Sequence, residues 1–219
     1  MFRLSSLWKK SASRADWVPG RPHPITEPGR HAVSDRPLAV PWPDGFRSLL
    51  VGMGCFWGAE RLFWQIPGVW VTAAGFAGGS TPNPTYYEVC SEGTGHAEVV
   101  LVVYDPSVVT LRRLLKTFFE EHDPTQGMRQ GNDVGTQYRS CLFLAEQEDR
   151  RIAEEVRAAY QARLAGRGLG PVTTTIGGEV PFFHAEDEHQ QYLAKKPWGY
   201  CGLAGTGVAC PVGTGEASA

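Results

Sequence analysis

The sequence predicts a two-layer α/β (α+β) sandwich, and three observations predict it. Short apolar runs of strand character alternate with amphipathic helical patterns, but irregularly, which argues against a regular parallel, doubly wound sheet. The run AEVVLVVY over 97–104 holds four valines in eight residues and reads as a well-buried strand. No internal repeat is present. With 219 residues, 42% of them hydrophobic and 20% charged, the chain suits one large domain or one domain with an extension, and it has the apolar material for a real core.

Each element follows in order. Residues 1–45 are rich in proline, arginine and serine without a sustained period, which predicts an extended N-terminal arm. An apolar run over 48–53 enters Gly54-Cys55-Phe56-Trp57-Gly58, after which Ala59, Leu62, Phe63 and Ile66 fall at helical spacing. That pattern is strand, tight turn, amphipathic helix. Pro67-Gly68 stops the helix, 69–76 reads as a strand and 78–82 as a loop. Asn83-Pro84 supplies an N-cap and first-turn pair for a short helix containing Tyr86 and Val89. Leu111, Leu114, Leu115, Phe118 and Phe119 mark a further helix. The stretch 122–137 is polar, glycine-rich and too long for a simple connection, a length that usually carries function. Residues 139–144 read as a strand, and 146–164 as a charged surface helix turning Ile152, Val156, Ala159 and Tyr160 inward. The β-branched 172–176 reads as a strand and 187–195 as a short helix. From Gly199 the tail is rich in glycines, which should prevent tight packing. The expected division is an arm over 1–45, one domain over 46–198 and a tail over 199–219.

Lysine and arginine total 21 against 23 acidic residues, a net charge of −2, which leaves no electrostatic footprint for nucleic acid or an anionic membrane. No apolar stretch reaches membrane-spanning length, and residues 1–17 lack the apolar core of a signal peptide, so a cytoplasmic location is expected. Five cysteines, Cys55, Cys90, Cys141, Cys201 and Cys210, are an odd number in a chain too long to need disulfide staples, which turns attention to thiol chemistry. Neither a dinucleotide fingerprint nor a phosphate-binding loop occurs, so no nucleotide cofactor is expected. His184 and His189 stand five apart, about 140° around a helix, and no paired CxxC is present, so no metal is expected either.

Cys55 lies where a predicted strand turns into a predicted helix, and the positive end of the helix there should favour thiolate. The alternative is a small buried hydrophobe. Adjacent Phe56 and Trp57 either anchor the core or wall an apolar pocket beside the sulfur. Glu98 falls on the strand face of Val100, Val102 and Tyr104, where an acid among aliphatic groups has a raised pKa, unless the strand end reaches water. His96 next to it raises a Cys–His nucleophile pair, hence acyl transfer, as a rival chemistry, and a non-catalytic module that binds its partner through Phe56 and Trp57 is another. Cys201 and Cys210, on a glycine-rich tail, suit a segment that visits a distant sulfur and then closes on itself, whereas Cys90 and Cys141 read as buried, inert thiols.

GCFWGAE over 54–60 is followed in order by GGSTPNPTY (78–86), TGHAE (94–98), YDPS (104–107), HDP (122–124), GNDVGTQYRS (131–140) and AEDEHQQY (185–192). This set resembles the A-type peptide methionine sulfoxide reductases from about residue 48 to 211, and Pro19-Gly20-Arg21 looks like the arm of longer members. The resemblance implies a two-layer sandwich around a mixed central sheet, reduction of the S epimer of methionine sulfoxide, free or in proteins, no cofactor, thioredoxin as the reductant, and a monomer. Carried onto matching positions, it implies Cys55 as nucleophile, Phe56 and Trp57 as the pocket for the substrate methyl, and Glu98 as the acid for the sulfoxide oxygen. Tyr86 and Tyr138 match phenols that hydrogen-bond that oxygen, Asp133 a supporting polar residue, and Cys201 and Cys210 the recycling pair, here one residue further apart than the family pattern.

Overall fold

The computed structural model describes residues 18–213, so the expectations for residues 1–17 and 214–219 lie outside the described residues. At its centre is a six-stranded mixed sheet in the order β7-β6-β1-β3-β2-β8, built from β1 (Arg47–Gly52), β2 (Val69–Ala77), β3 (Ala97–Tyr104), β6 (Cys141–Phe143), β7 (Thr175–Gly177) and β8 (Phe182–His184). All neighbours are antiparallel except β6 and β7. The α/β sandwich with a mixed sheet is thus the observed fold.

Alternation within the strands separates two faces. Leu49, Val51, Ala74, Phe76, Val100, Val102 and Tyr104 join the large core, in which Phe56, Ala59 and Phe63 of α1 (Phe56–Trp64), the apolar stripe of α3 (Leu111–Glu121) and Val156 and Tyr160 of α4 (Gln147–Ala165) are buried. The inward residues of α4 are Ala153, Val156, Tyr160 and Leu164, with Ile152 and Ala159 only partly covered. On the opposite face Val71, Ala73 and Val103 meet Leu38 of the arm, with Trp42 and Phe46 packed beside them.

Several expectations are corrected. The helix α2 (Tyr86–Cys90) is capped by Thr85, not by Asn83: Glu88 N–H donates to Thr85 Oγ1 and Thr85 N–H to Glu88 Oε2, a reciprocal capping box, while Asn83 sits at a φ of 48°. The strand expected over 172–176 forms only from Thr175, because Val172 N–H is held by Gln161 and Thr173 N–H by Pro124 O. The long polar stretch contains a small hairpin of β4 (Arg129–Gln130) and β5 (Asp133–Val134), and β8 was not anticipated at all. The helix expected over 187–195 is reduced to α5 (Tyr192–Lys195), because Gln191 adopts a φ of 46° and gives its N–H to Glu60.

The largest departure is the tail. It packs firmly onto the domain: Cys210 is 2% exposed in the main core, its N–H bonds Glu120 Oε1 at 2.7 Å, and Thr206 meets the Tyr160 hydroxyl at 2.8 Å. Its glycines serve close approach, since a side-chain carbon at Gly205 would collide with the Glu120 carbonyl oxygen. Among the described residues no helix is long and apolar enough to cross a membrane.

Candidate active site

Cys55 is the N-cap of α1, immediately after β1 and its turn. The first amides of a helix lack intrahelical partners, and here one of them is engaged by a side chain. Phe56 N–H donates to Glu98 Oε2 at 3.0 Å, while the Cys55 side chain itself makes no capping hydrogen bond. The helix start therefore holds a thiol and a carboxyl group side by side.

Glu98, near the start of β3, is 1% exposed and stands on the face of Val100, Val102 and Tyr104 that the alternation predicts, so the strand end does not reach water. Burial pushes its pKa up to about 8, the nearby Asp133 charge adds to the rise, and the Phe56 N–H opposes it. Near neutrality Glu98 is mostly protonated. For Cys55 the expectation is corrected: burial pushes the thiol well above its ordinary value, the Glu98 charge adds to this, Asp133 and Cys201 contribute in the same direction, and the Trp57 N–H only partly compensates. One helix amide does not outweigh desolvation beside two carboxylates. A proton on Glu98 removes the larger of those two charges.

Tyr86 of α2 and Tyr138, in the short 3₁₀ turn Thr136–Tyr138, are both half-buried and face Glu98; burial first and that carboxylate second push both phenols up, keeping them hydrogen-bond donors. Asp133 on β5 is raised by desolvation and accepts from Tyr200 Oη at 3.1 Å. The structure thus gathers Cys55, Glu98, Tyr86, Tyr138 and Asp133 within electrostatic reach of one another.

The aromatic wall is larger than the sequence reading foresaw. Phe56 is buried between Phe76, Tyr86 and His189, with ring centroids 5.6–6.4 Å apart. Trp57 stacks on Tyr192 at 3.9 Å and 15°, and its Nε1–H donates to His189 Nδ1 at 3.3 Å. His189 also lies 4.4 Å from the Tyr86 ring, and Glu186 Oε1 accepts from Tyr86 N–H at 2.9 Å. His189, Tyr192, Tyr200 and Glu186 were not assigned a place from sequence. The i, i+3 pair of aromatic rings at 189 and 192 in the AEDEHQQY segment was the available signal, in a stretch read only as a short helix.

The other cysteines and histidines separate clearly. Cys201 is partly exposed, and its sulfur lies 2.8 Å from where a side-chain carbon on Gly58 would stand, one helical turn after Cys55. Cys210 is shut into the core, and Cys141 is buried in β6. Cys90 is half-buried, not buried as expected, and burial still pushes its thiol up. All five thiols are free. His96 has no nitrogen to offer Cys55: Gly79 N–H donates to its Nδ1 and its Nε2 bonds Thr81 O at 2.7 Å, which removes the basis for acyl transfer. His184 bonds Leu38 O, away from the aromatic cluster that holds His189.

Comparison with known proteins agrees with this geometry. The family model for peptide methionine sulfoxide reductase matches residues 47–208. The peptide methionine sulfoxide reductase MsrA of Brucella ovis is 64% identical over 200 residues, covering 91% of this chain and 92% of that protein. The Brucella anthropi MsrA is 62% identical over 214 residues, covering 97% and 98%. Among solved structures, methionine sulfoxide reductase A of Corynebacterium diphtheriae superposes with a TM-score of 0.80 at 46% identity, covering 92% of this chain and 98% of that one. Mxr1 of Saccharomyces cerevisiae in reduced form gives 0.68 at 34% identity, covering 78% and 92%. With the family's pattern spanning the sheet, the buried acid and the docked tail alike, this chain belongs to the peptide methionine sulfoxide reductases, as an MsrA that reduces methionine sulfoxide to methionine.

Proposed function

We propose that the reduction proceeds through a Cys55 sulfenic acid and a disulfide relay, with Glu98 as the proton donor and the S epimer of methionine sulfoxide, free or in proteins, as substrate. The observation that carries this reading is Glu98: a buried, mostly protonated carboxyl group fixed by the amide next to Cys55. Sulfoxide oxygen is a poor leaving group until protonated. The substrate methyl lies against Phe56 and Trp57, the oxygen faces Glu98 and the phenols of Tyr86 and Tyr138, and Asp133 supports the polar side. As Glu98 gives its proton to the oxygen, the Cys55 sulfur attacks the substrate sulfur and its thiol proton returns to the Glu98 carboxylate; the hydroxyl then passes to Cys55 as the transient S–S bond breaks, so that methionine leaves and Cys55 is left as sulfenic acid. Three different neighbours around a chiral sulfur select one epimer, S in this reading.

Cys201 then condenses with the sulfenic acid, forming the Cys55–Cys201 disulfide and releasing water. Cys210 attacks Cys201, frees Cys55 as a thiol, and an external dithiol, thioredoxin, reduces the Cys201–Cys210 bond. A reducing, cytoplasmic setting supplies that dithiol. The assay is reduction of S and R methionine sulfoxide with dithiothreitol and then with thioredoxin. Turnover of S alone by both reductants supports the reading, and equal turnover of R overturns the stereochemistry.

Two variants probe the relay. Cys210→Ser should release one methionine and accumulate the Cys55–Cys201 disulfide, seen by peptide mapping; full thioredoxin-dependent turnover would make Cys210 dispensable. Gly58→Ala places a methyl where the Cys201 sulfur needs room. Methionine release in a single turnover should persist while disulfide formation slows roughly tenfold, so that sulfenic acid becomes trappable with dimedone. An unchanged disulfide rate would show that Cys201 approaches Cys55 by another path.

A further inference from the structure

A chain of buried hydrogen bonds outside the chemistry above runs from the N-terminal arm to the wall of the aromatic pocket. Val33 and Ser34 N–H both donate to His31 Nδ1 at 3.2 Å, which leaves the ring proton on Nε2, 3.1 Å from Thr72 Oγ1. Thr72 therefore accepts from His31 and turns its own hydroxyl proton to Glu60 Oε1 at 3.3 Å. Glu60 is 0% exposed on α1 and also receives Gln191 Nε2–H at 2.7 Å on Oε1 and Gln191 N–H at 2.8 Å on Oε2. The Gln191 side-chain oxygen in turn accepts from Ala32 N–H of the arm at 2.9 Å. Arm, β2, α1 and residue 191 form one connected set in which every donor around the carboxylate points at Glu60.

The set has a geometric product. Gln191 stands at a φ of 46°, a conformation unfavourable for a residue with a Cβ, and two of the bonds that hold it there go to Glu60. The turn at Gln191 brings the next residue, Tyr192, flat onto Trp57, while His189 two residues earlier accepts from the Trp57 indole. A helix running straight through 187–195 would not turn these two rings onto Trp57 in this way.

We propose that Glu60 is a positioning residue for substrate binding: by pinning Gln191 it sets Tyr192 and His189 against Trp57, and the arm, through His31 and Ala32, completes the same set, so that arm docking and affinity for methionine sulfoxide are coupled. The proposal rests on the reading that Trp57 borders the substrate. None of its members touches the sulfoxide or the reacting thiol, so their loss should weaken binding and leave the chemical step intact.

The test measures KM and kcat for free methionine sulfoxide with dithiothreitol, normalised to Cys55 that titrates. Thr72→Val keeps the shape of the side chain but cuts the link between His31 and Glu60, and should raise KM about fivefold at unchanged kcat, as loss of one buried hydrogen bond predicts. Thr72→Ser restores the hydroxyl and should restore KM. Glu60→Gln should raise KM further; if it does not fold, the threonine pair carries the test alone. His31→Ala should also raise KM, and combined with Thr72→Val should do no more than the larger single change, since both cut one chain. An unchanged KM in Thr72→Val, failure of Thr72→Ser to rescue, fully additive effects, or loss of titratable Cys55 with KM unaltered each overturns the proposal. Trp57→Ala separates the two readings: a raised KM there with none in Thr72→Val removes the positioning role alone, whereas no change in Trp57→Ala removes Trp57 from the substrate pocket.

Discussion

Cys55→Ser should abolish methionine release with every reductant, by at least about 10⁴-fold, the scale on which loss of a catalytic nucleophile is felt. A serine hydroxyl at the same N-cap has a pKa far too high for this buried environment to yield an alkoxide. Cys201 cannot take over: its sulfur packs against Gly58, while the Phe56 amide that anchors Glu98 adjoins position 55. The measurement is methionine released per enzyme without added reductant, expected near two for the wild type, because the Cys201–Cys210 disulfide frees Cys55 for a second attack, and near zero for the variant. Release near the wild-type level would move the nucleophile elsewhere.

Glu98→Gln carries the second large effect. The amide keeps an oxygen for the Phe56 N–H and removes the transferable proton, so the chemical step should slow by about 10²–10⁴ while Cys55 stays titratable. The wild-type single-turnover rate should lose its acid as pH rises through about 8, where Glu98 ionises and its charge also raises the Cys55 thiol. That alkaline fall should be absent in the variant. Stability has the same sign. The folded state holds the Glu98 proton up to about 8 against 4.5 for an ordinary glutamate, so Glu98's contribution is fully present below 4.5 and is lost as pH climbs through 8. Thermal melting of Glu98→Gln should therefore decline less between pH 5 and 9 than that of the wild type. An unchanged single-turnover rate would show that water or the tyrosines deliver the proton.

What the sequence made legible was periodic or local. Alternation along β3 placed Glu98 on the core face, and the i, i+3, i+4, i+7 pattern after Gly58 gave α1, because both depend only on residues near in sequence. The Thr85–Glu88 capping box was equally readable, since Thr-x-x-Glu is its signature, but Asn83-Pro84 drew attention first. The Cys55 environment was not readable: its pKa is set by Glu98, Asp133 and Cys201, which lie 43, 78 and 146 positions away in the chain. The same holds for Gln191, whose partner Glu60 is 131 residues distant and whose backbone departs from a helix to reach it. Glycine content suggested a loose tail because composition records freedom of the unfolded chain, whereas Gly58 and Gly205 are used for contact.

The docked tail gives the contacts around Cys210 two opposing duties. In the resting enzyme they contribute to the core, with Val208 and Cys210 covered, Thr206 on Tyr160 and the Cys210 amide on Glu120. For a relay that ends on Cys210, the same contacts must open in every cycle before the thiol meets another sulfur, so recycling is a local unfolding event while methionine release is not. The two half-reactions then respond oppositely to conditions that tighten the fold. Heat loosens the docking and speeds recycling more steeply than methionine release, and a tail too well packed would lower turnover in the enzyme that melts highest.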